Sequence, residues 1–128
     1  MNFGRMRALM DRIPSARRNV EKSWSRATKC TQSFSDVPVG GGSDSDSGDM
    51  SYVRFVEAKE SLNLILTELQ QLRAEAEPLI DNLTDYTQRT VMKLRYIDGY
   101  DANKIAVELH YSDRHIFRLL RAAEQEIG

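Results

Sequence analysis

A chain of 128 residues with 41% hydrophobic and 29% charged residues suits one modest domain, or a small domain with an appendage, and is too apolar for wholesale disorder. Its single cysteine, Cys30, excludes an internal disulfide and a cysteine-rich zinc site. Net charge is −1 but uneven: residues 1–30 carry eight Lys/Arg against two Asp/Glu, 35–50 four Asp and no base, 51–83 three bases against six acids, and 84–128 seven of each.

No apolar run approaches the roughly 18 residues of a membrane helix, so no membrane partner is expected. The opening MNFGRMRALMDRIP has arginines inside its apolar pattern and does not read as a secretory signal. A lone cysteine fits a reducing, cytoplasmic interior. Two histidines, His110 and His115, are too few for a metal or triad constellation. The expectation is a non-enzymatic protein with no catalytic residue, cofactor or metal.

Residues 1–34 form a basic helical segment. Phe3, Met6, Met10, Ile13, Val20, Trp24, Ala27 and Phe34 follow an alternating spacing of three and four, interrupted at Arg17 and Thr31. Pro14 predicts a break or kink, with 1–13 less firmly placed than 15–33. The basic charges fit either nucleic-acid phosphates or the acidic third segment of the chain itself. Residues 35–50, SDVPVGGGSDSDSGDM, have the composition of a flexible, solvated linker. Asp44, Asp46 and Asp49 are closely spaced, but the bidentate Glu of a calcium loop is missing.

Periodicity resumes at Ser51, an expected N-cap, and runs over 51–83. Phe55, Leu62, Leu66, Leu69, Ala76, Ile80 and Leu83 form one row; Ile65, Leu72 and Leu79 widen it, and Pro78 predicts a kink or a new turn. The two striped helices suit an antiparallel hairpin, or a coiled coil with a second copy, so a homo-oligomer, a dimer first, is expected.

Residues 84–128 predict three shorter helices. Thr84 is the expected cap of the first, with Val91, Leu94 and Ile97 buried, Tyr96 beside them and Gly99 at its C-terminal end. Asp101 caps a helix over ANKIAVELH, and Ser112 caps a longer one over DRHIFRLLRAAEQEI. Two helices separated by a tight turn are a helix-turn-helix. Ala106 is the small residue at the crossing, Ile105, Leu109, Ile116, Leu119 and Leu120 face inward, and Tyr111 buries its ring. The positive φ such a turn requires falls at or next to His110.

The outer face of the last helix then carries Asp113, Arg114, Phe117, Arg118 and Arg121, with His115 on its flank. In a major groove Ser112, Asp113, Arg114, Phe117 and Arg118 approach base edges, whereas Lys104 and Arg121 suit phosphates. These eight residues are the expected DNA-binding site.

Leu94-Arg95-Tyr96, Ile105-Ala106 with Leu109, and the helix opened by Ser112 resemble region 4 of sigma-70-type factors. With its upstream helices the chain resembles small phage and prophage regulators of the ArpU and RinA type. It also resembles a group of short phage proteins with a Phe-Ser-Asp-x-Pro and glycine stretch, here Phe34-Ser35-Asp36-Val37-Pro38. The resemblance implies an all-α protein that binds duplex DNA in a bacterial host cell, with RNA polymerase as a further partner. A regulator of phage late genes is one expectation. A small terminase subunit that selects DNA for packaging is a second, and a helical protein–protein module that never touches DNA is a third.

Overall fold

The computed structural model of the chain describes residues 1–36 and 42–128, with side chains for 1–28 and 50–128. The fold is all-α among the described residues, with two long helices followed by shorter ones. They are α1 (Phe3–Asp36), α2 (Gly42–Asp81), α3 (Tyr86–Met92), continued by a π-helical turn (Lys93–Ile97), then α4 (Ala102–Leu109) and α5 (Asp113–Ile127). No helix among the described residues is long and apolar enough to cross a membrane. Contacts divide the chain into two units, Met1–Met10 with Glu68–Gly128, and Asp11–Thr67.

The unit Asp11–Thr67 is a pairing of the middle of α1 with the first half of α2. A groove is lined by Asp11, Ser15 and Asn19 from α1 and by Ala58, Ser61 and Ile65 from α2. Further along α1, the Trp24 ring meets Phe55 at 5.0 Å. Rising numbers in one helix thus meet falling numbers in the other, so the pair is antiparallel. Two helices alone enclose little, and of this unit's described residues only Ala27 and Ile65 are buried. Trp24 leans on Phe55 yet keeps 53% of its surface exposed.

The other unit holds the main core. Phe3, Met6 and Leu9 of α1 and Leu69, Ala76, Ile80 and Leu83 from the end of α2 pack with Val91, Met92, Tyr96, Ile105, Ile116 and Leu120, all buried. Two expectations change here. No break falls at Pro14, which lies inside a continuous α1, and residues 1–10 are anchored, with Leu9 rather than Met10 in the core. A proline inside a helix costs about 3 kcal/mol. Burying three large apolar side chains at about 1.5–3 kcal/mol each offsets it. Pro78 likewise lies inside α2, in the turn before its end at Asp81.

The long helices also reach further than composition suggests. α1 extends to Asp36 and α2 begins at Gly42, so Ser51 is an interior position rather than a cap. Adding a residue to an existing helix is far easier than starting one, which carries helix into sequence that would not nucleate it. The centre of the expected linker, 37–41, lies outside the described residues, as do the side chains of Phe34, Asp44, Asp46 and Asp49.

The cap of α3 is Asp85, one residue beyond Thr84: its carboxylate accepts from Thr87 N at 2.8 Å and Gln88 N at 3.4 Å. Aspartate is the better acceptor at an N-cap and carries the charge the dipole favours. The buried face after α3 is also shifted. Tyr96 is fully buried while Leu94 and Ile97 are only half-buried, because the π turn inserts an extra residue and rotates the positions after it. Asp98 N donates to Lys93 O at 3.0 Å across that turn, Tyr100 N donates to Leu94 O at 2.9 Å, and Gly99 sits at φ +81°.

Candidate nucleic-acid interface

The local signals for α4 and α5 translate directly into geometry. Asp101 Oδ1 accepts from Lys104 N at 2.7 Å and Ser112 Oγ from His115 N at 3.2 Å, so both helices begin at side-chain caps. His110 lies in the left-handed region at φ 60°, ψ 39° and ends α4. Tyr111 N then donates to Ala106 O at 2.9 Å, closing the turn. Ala106 is buried at the crossing, as its size requires. Leu109 and Leu119 are only half-buried, and Tyr111 is exposed rather than buried. Its ring stands edge-on to His115 at 4.8 Å, an arrangement that suits aromatic quadrupoles.

Ile116, Leu120 and Ala123 are the buried face of α5. The opposite face carries Arg114, Phe117, Arg118 and Arg121, all exposed, with Phe117 at 56% of its full surface. None of these three arginines has an ion pair among the described residues. Ser112 and Asp113 are exposed at the start of the helix. Six of the eight expected site residues, Ser112 at the cap of α5 and Asp113, Arg114, Phe117, Arg118 and Arg121 on it, are thus exposed together. The other two have local engagements. His115 is half-buried against Tyr111, and the Lys104 ammonium lies 4.1 Å from the Tyr100 ring centroid, a cation–π contact.

Phe117 and Arg121 also border an open groove of about 470 Å³ whose other walls include Arg7, Arg95, Asp101 and Glu124. At its floor Arg7 Nη1 donates to Tyr96 Oη at 2.7 Å and pairs with Glu124, which in turn accepts from the Tyr96 hydroxyl. Burial first, then the bond to Glu124, pushes the Tyr96 phenol far above its ordinary value. Arg73 Nε donates to the Tyr96 carbonyl at 2.7 Å and holds the end of the π turn, where carbonyls lack helical partners. Burial lowers the Arg73 guanidinium from its ordinary value, with Asp98 opposing.

Sequence reasoning missed Arg7, Arg73 and Glu124 as supports of this face. Arg7 and Glu124 are 117 positions apart, and no local pattern relates them. Only the central tyrosine was marked, through Leu94-Arg95-Tyr96.

Residues 29–128 match the model of a family described as Protein of unknown function (DUF1492). The chain belongs to the DUF1492 family. The matched stretch contains every residue of α2 to α5 and all eight residues of the expected interface. In this DUF1492 member Arg7, with Phe3, Met6 and Leu9, lies outside the matched stretch yet packs against it. No curated protein and no solved structure matches the chain.

Proposed function

We propose that this DUF1492 protein is a non-enzymatic, sequence-specific binder of duplex DNA. Its α4–turn–α5 segment acts as a helix-turn-helix, and α5 enters the major groove from its Ser112 end. The observation that carries the reading is the outer face of α5, where Arg114, Phe117, Arg118 and Arg121 are exposed and the arginines have no ion pair among the described residues. A guanidinium presents a fork that fits both the acceptor edge of guanine and a phosphate, and Phe117 fits a thymine methyl. Arg114 and Arg118, four positions apart, read bases or brace phosphates; Arg121 and Lys104 hold the backbone.

A head of this size reaches few phosphates, so two heads on one duplex raise affinity through effective concentration. The reading accordingly includes a homo-oligomer, a dimer first. The resemblance to sigma region 4 and to ArpU- and RinA-type regulators supports a regulator of phage late genes, in the cytoplasm of the bacterial host, with RNA polymerase as a further partner.

The test is selection of preferred duplexes from a random pool by the purified chain. A preferred site is expected. Arg118→Ala should then cost about 1–3 kcal/mol on that site if Arg118 pairs with a base, and an even loss over all sequences if it meets only phosphate. Unchanged duplex binding by Arg114→Ala with Arg118→Ala overturns the assigned face.

A further inference from the structure

The fold divides the basic charge of the first thirty residues. Arg5 pairs with Glu68 and Arg7 with Glu124. In the unit Asp11–Thr67, by contrast, Arg12, Arg17, Arg18, Lys22 and Arg26 are exposed, and none has an ion pair among the described residues. Acids are available in the same unit, at Asp11, Glu21, Glu57 and Glu60, but do not neutralise them. Pairing with the acidic segment accounts for Arg5 alone, Arg7 pairs in the last segment, and these five are left.

Three of the five form a row. Arg18, Lys22 and Arg26 recur every four positions, so each step advances about 6 Å along the helix and turns by only about 40°. Ala27, buried in this unit, is nine positions from Arg18, about two and a half turns on, so the row begins on the side opposite the buried face. The three cations line an open surface groove together with Glu21 and Ser25, and among the described residues no apolar side chain borders it.

We propose that this row on α1 is a second, sequence-independent phosphate-binding surface for duplex DNA; the proposal rests on the reading of α5 as the DNA-reading helix. A line of like charges at regular steps suits a ligand whose own charges repeat along a line, as a phosphodiester strand does. A protein partner would offer a local acid, met equally well by one cation. An anionic bilayer surface calls for apolar anchors beside the bases, and Trp24, the exposed aromatic of this stretch, instead leans on Phe55. Glu21 in the same groove moderates the field without interrupting the row.

The experiment measures affinity of the full chain for a random-sequence duplex, by fluorescence anisotropy, across a range of salt concentrations. Each phosphate contact contributes about 0.9 to the slope of log K against log salt. Replacing Arg18, Lys22 and Arg26 together by Gln should make the slope shallower by about 2–3, with the preference for a selected duplex over the random one unchanged. Arg18→Lys with Arg26→Lys should keep the wild-type slope, because charge and helix are both retained. A triple variant with the wild-type slope overturns the proposal, as does a lysine variant that loses slope. A wild type that binds no duplex overturns the reading of α5 first, which separates the two failures. Binding to phosphatidylserine vesicles that the triple variant loses, with its duplex slope unaltered, assigns the row to lipid and also overturns the proposal.

Discussion

His110 and Tyr96 illustrate two ways in which a single residue shapes this molecule. His110 occupies the left-handed region at φ 60°, where an L side chain crowds its own backbone at a cost of roughly 1 kcal/mol. Glycine removes that crowding, so His110→Gly should stabilise the chain by up to about 1 kcal/mol, whereas a β-branched His110→Val should destabilise it by more; chemical denaturation reads both. Tyr96 is held by burial and by Glu124 in its protonated form. The folded phenol keeps its proton above the ordinary tyrosine value of about 10, where the unfolded chain loses it. Stability from this group is therefore complete below about pH 10 and is lost as pH rises beyond it. Urea titrations at successive alkaline pH values should show this decline, and Tyr96→Phe should flatten it. At neutral pH the same variant should cost about 1 kcal/mol for the missing hydroxyl bonds to Arg7 and Glu124.

Among the elements, the short helices α4 and α5 depend on their caps, since neither eight nor fifteen residues sustain a helix unaided in water. Ser112→Ala should cost about 1 kcal/mol and fray the very turn proposed to face base edges, so it should weaken duplex binding as well as lower Tm. These caps, the left-handed turn and the small Ala106 were legible in the sequence because each is a local requirement met within a few residues. The π turn at Lys93–Ile97 was not. It serves the contacts of Tyr96 with Arg7, Glu124 and Phe3, whose ring lies 4.8 Å away, and these partners come from both ends of the chain. A helical stripe read at a constant 3.6 residues per turn passes through such a turn one position out of register.

At the scale of the whole chain, residues 1–10 are part of the unit that bears the proposed interface, through Phe3, Met6 and Leu9 and the pairs Arg5–Glu68 and Arg7–Glu124. Removing residues 1–10 takes three buried side chains from one core, so the loss should be several kcal/mol and the protein should unfold well below the full-length Tm in calorimetry. A truncated chain with unchanged Tm would show that this core closes without residues 1–10. The proposed oligomer is read separately: light scattering at micromolar concentration should give at least twice the monomer mass, and a monomer mass removes that part of the proposal.

By itself the sequence determined the all-α class, the caps at Asp101 and Ser112, the strained His110 and the arginine-bearing outer side of α5. Each arises from backbone geometry and from which side of one helix is apolar. Only the tertiary structure decided which of two competing local tendencies prevailed. The segment around Pro14 stayed helical, and Arg5 and Arg7 found carboxylate partners at Glu68 and Glu124 while Arg18, Lys22 and Arg26 have none among the described residues. Those outcomes depend on partners tens of residues away, and proximity of that kind arises only once the helices have packed.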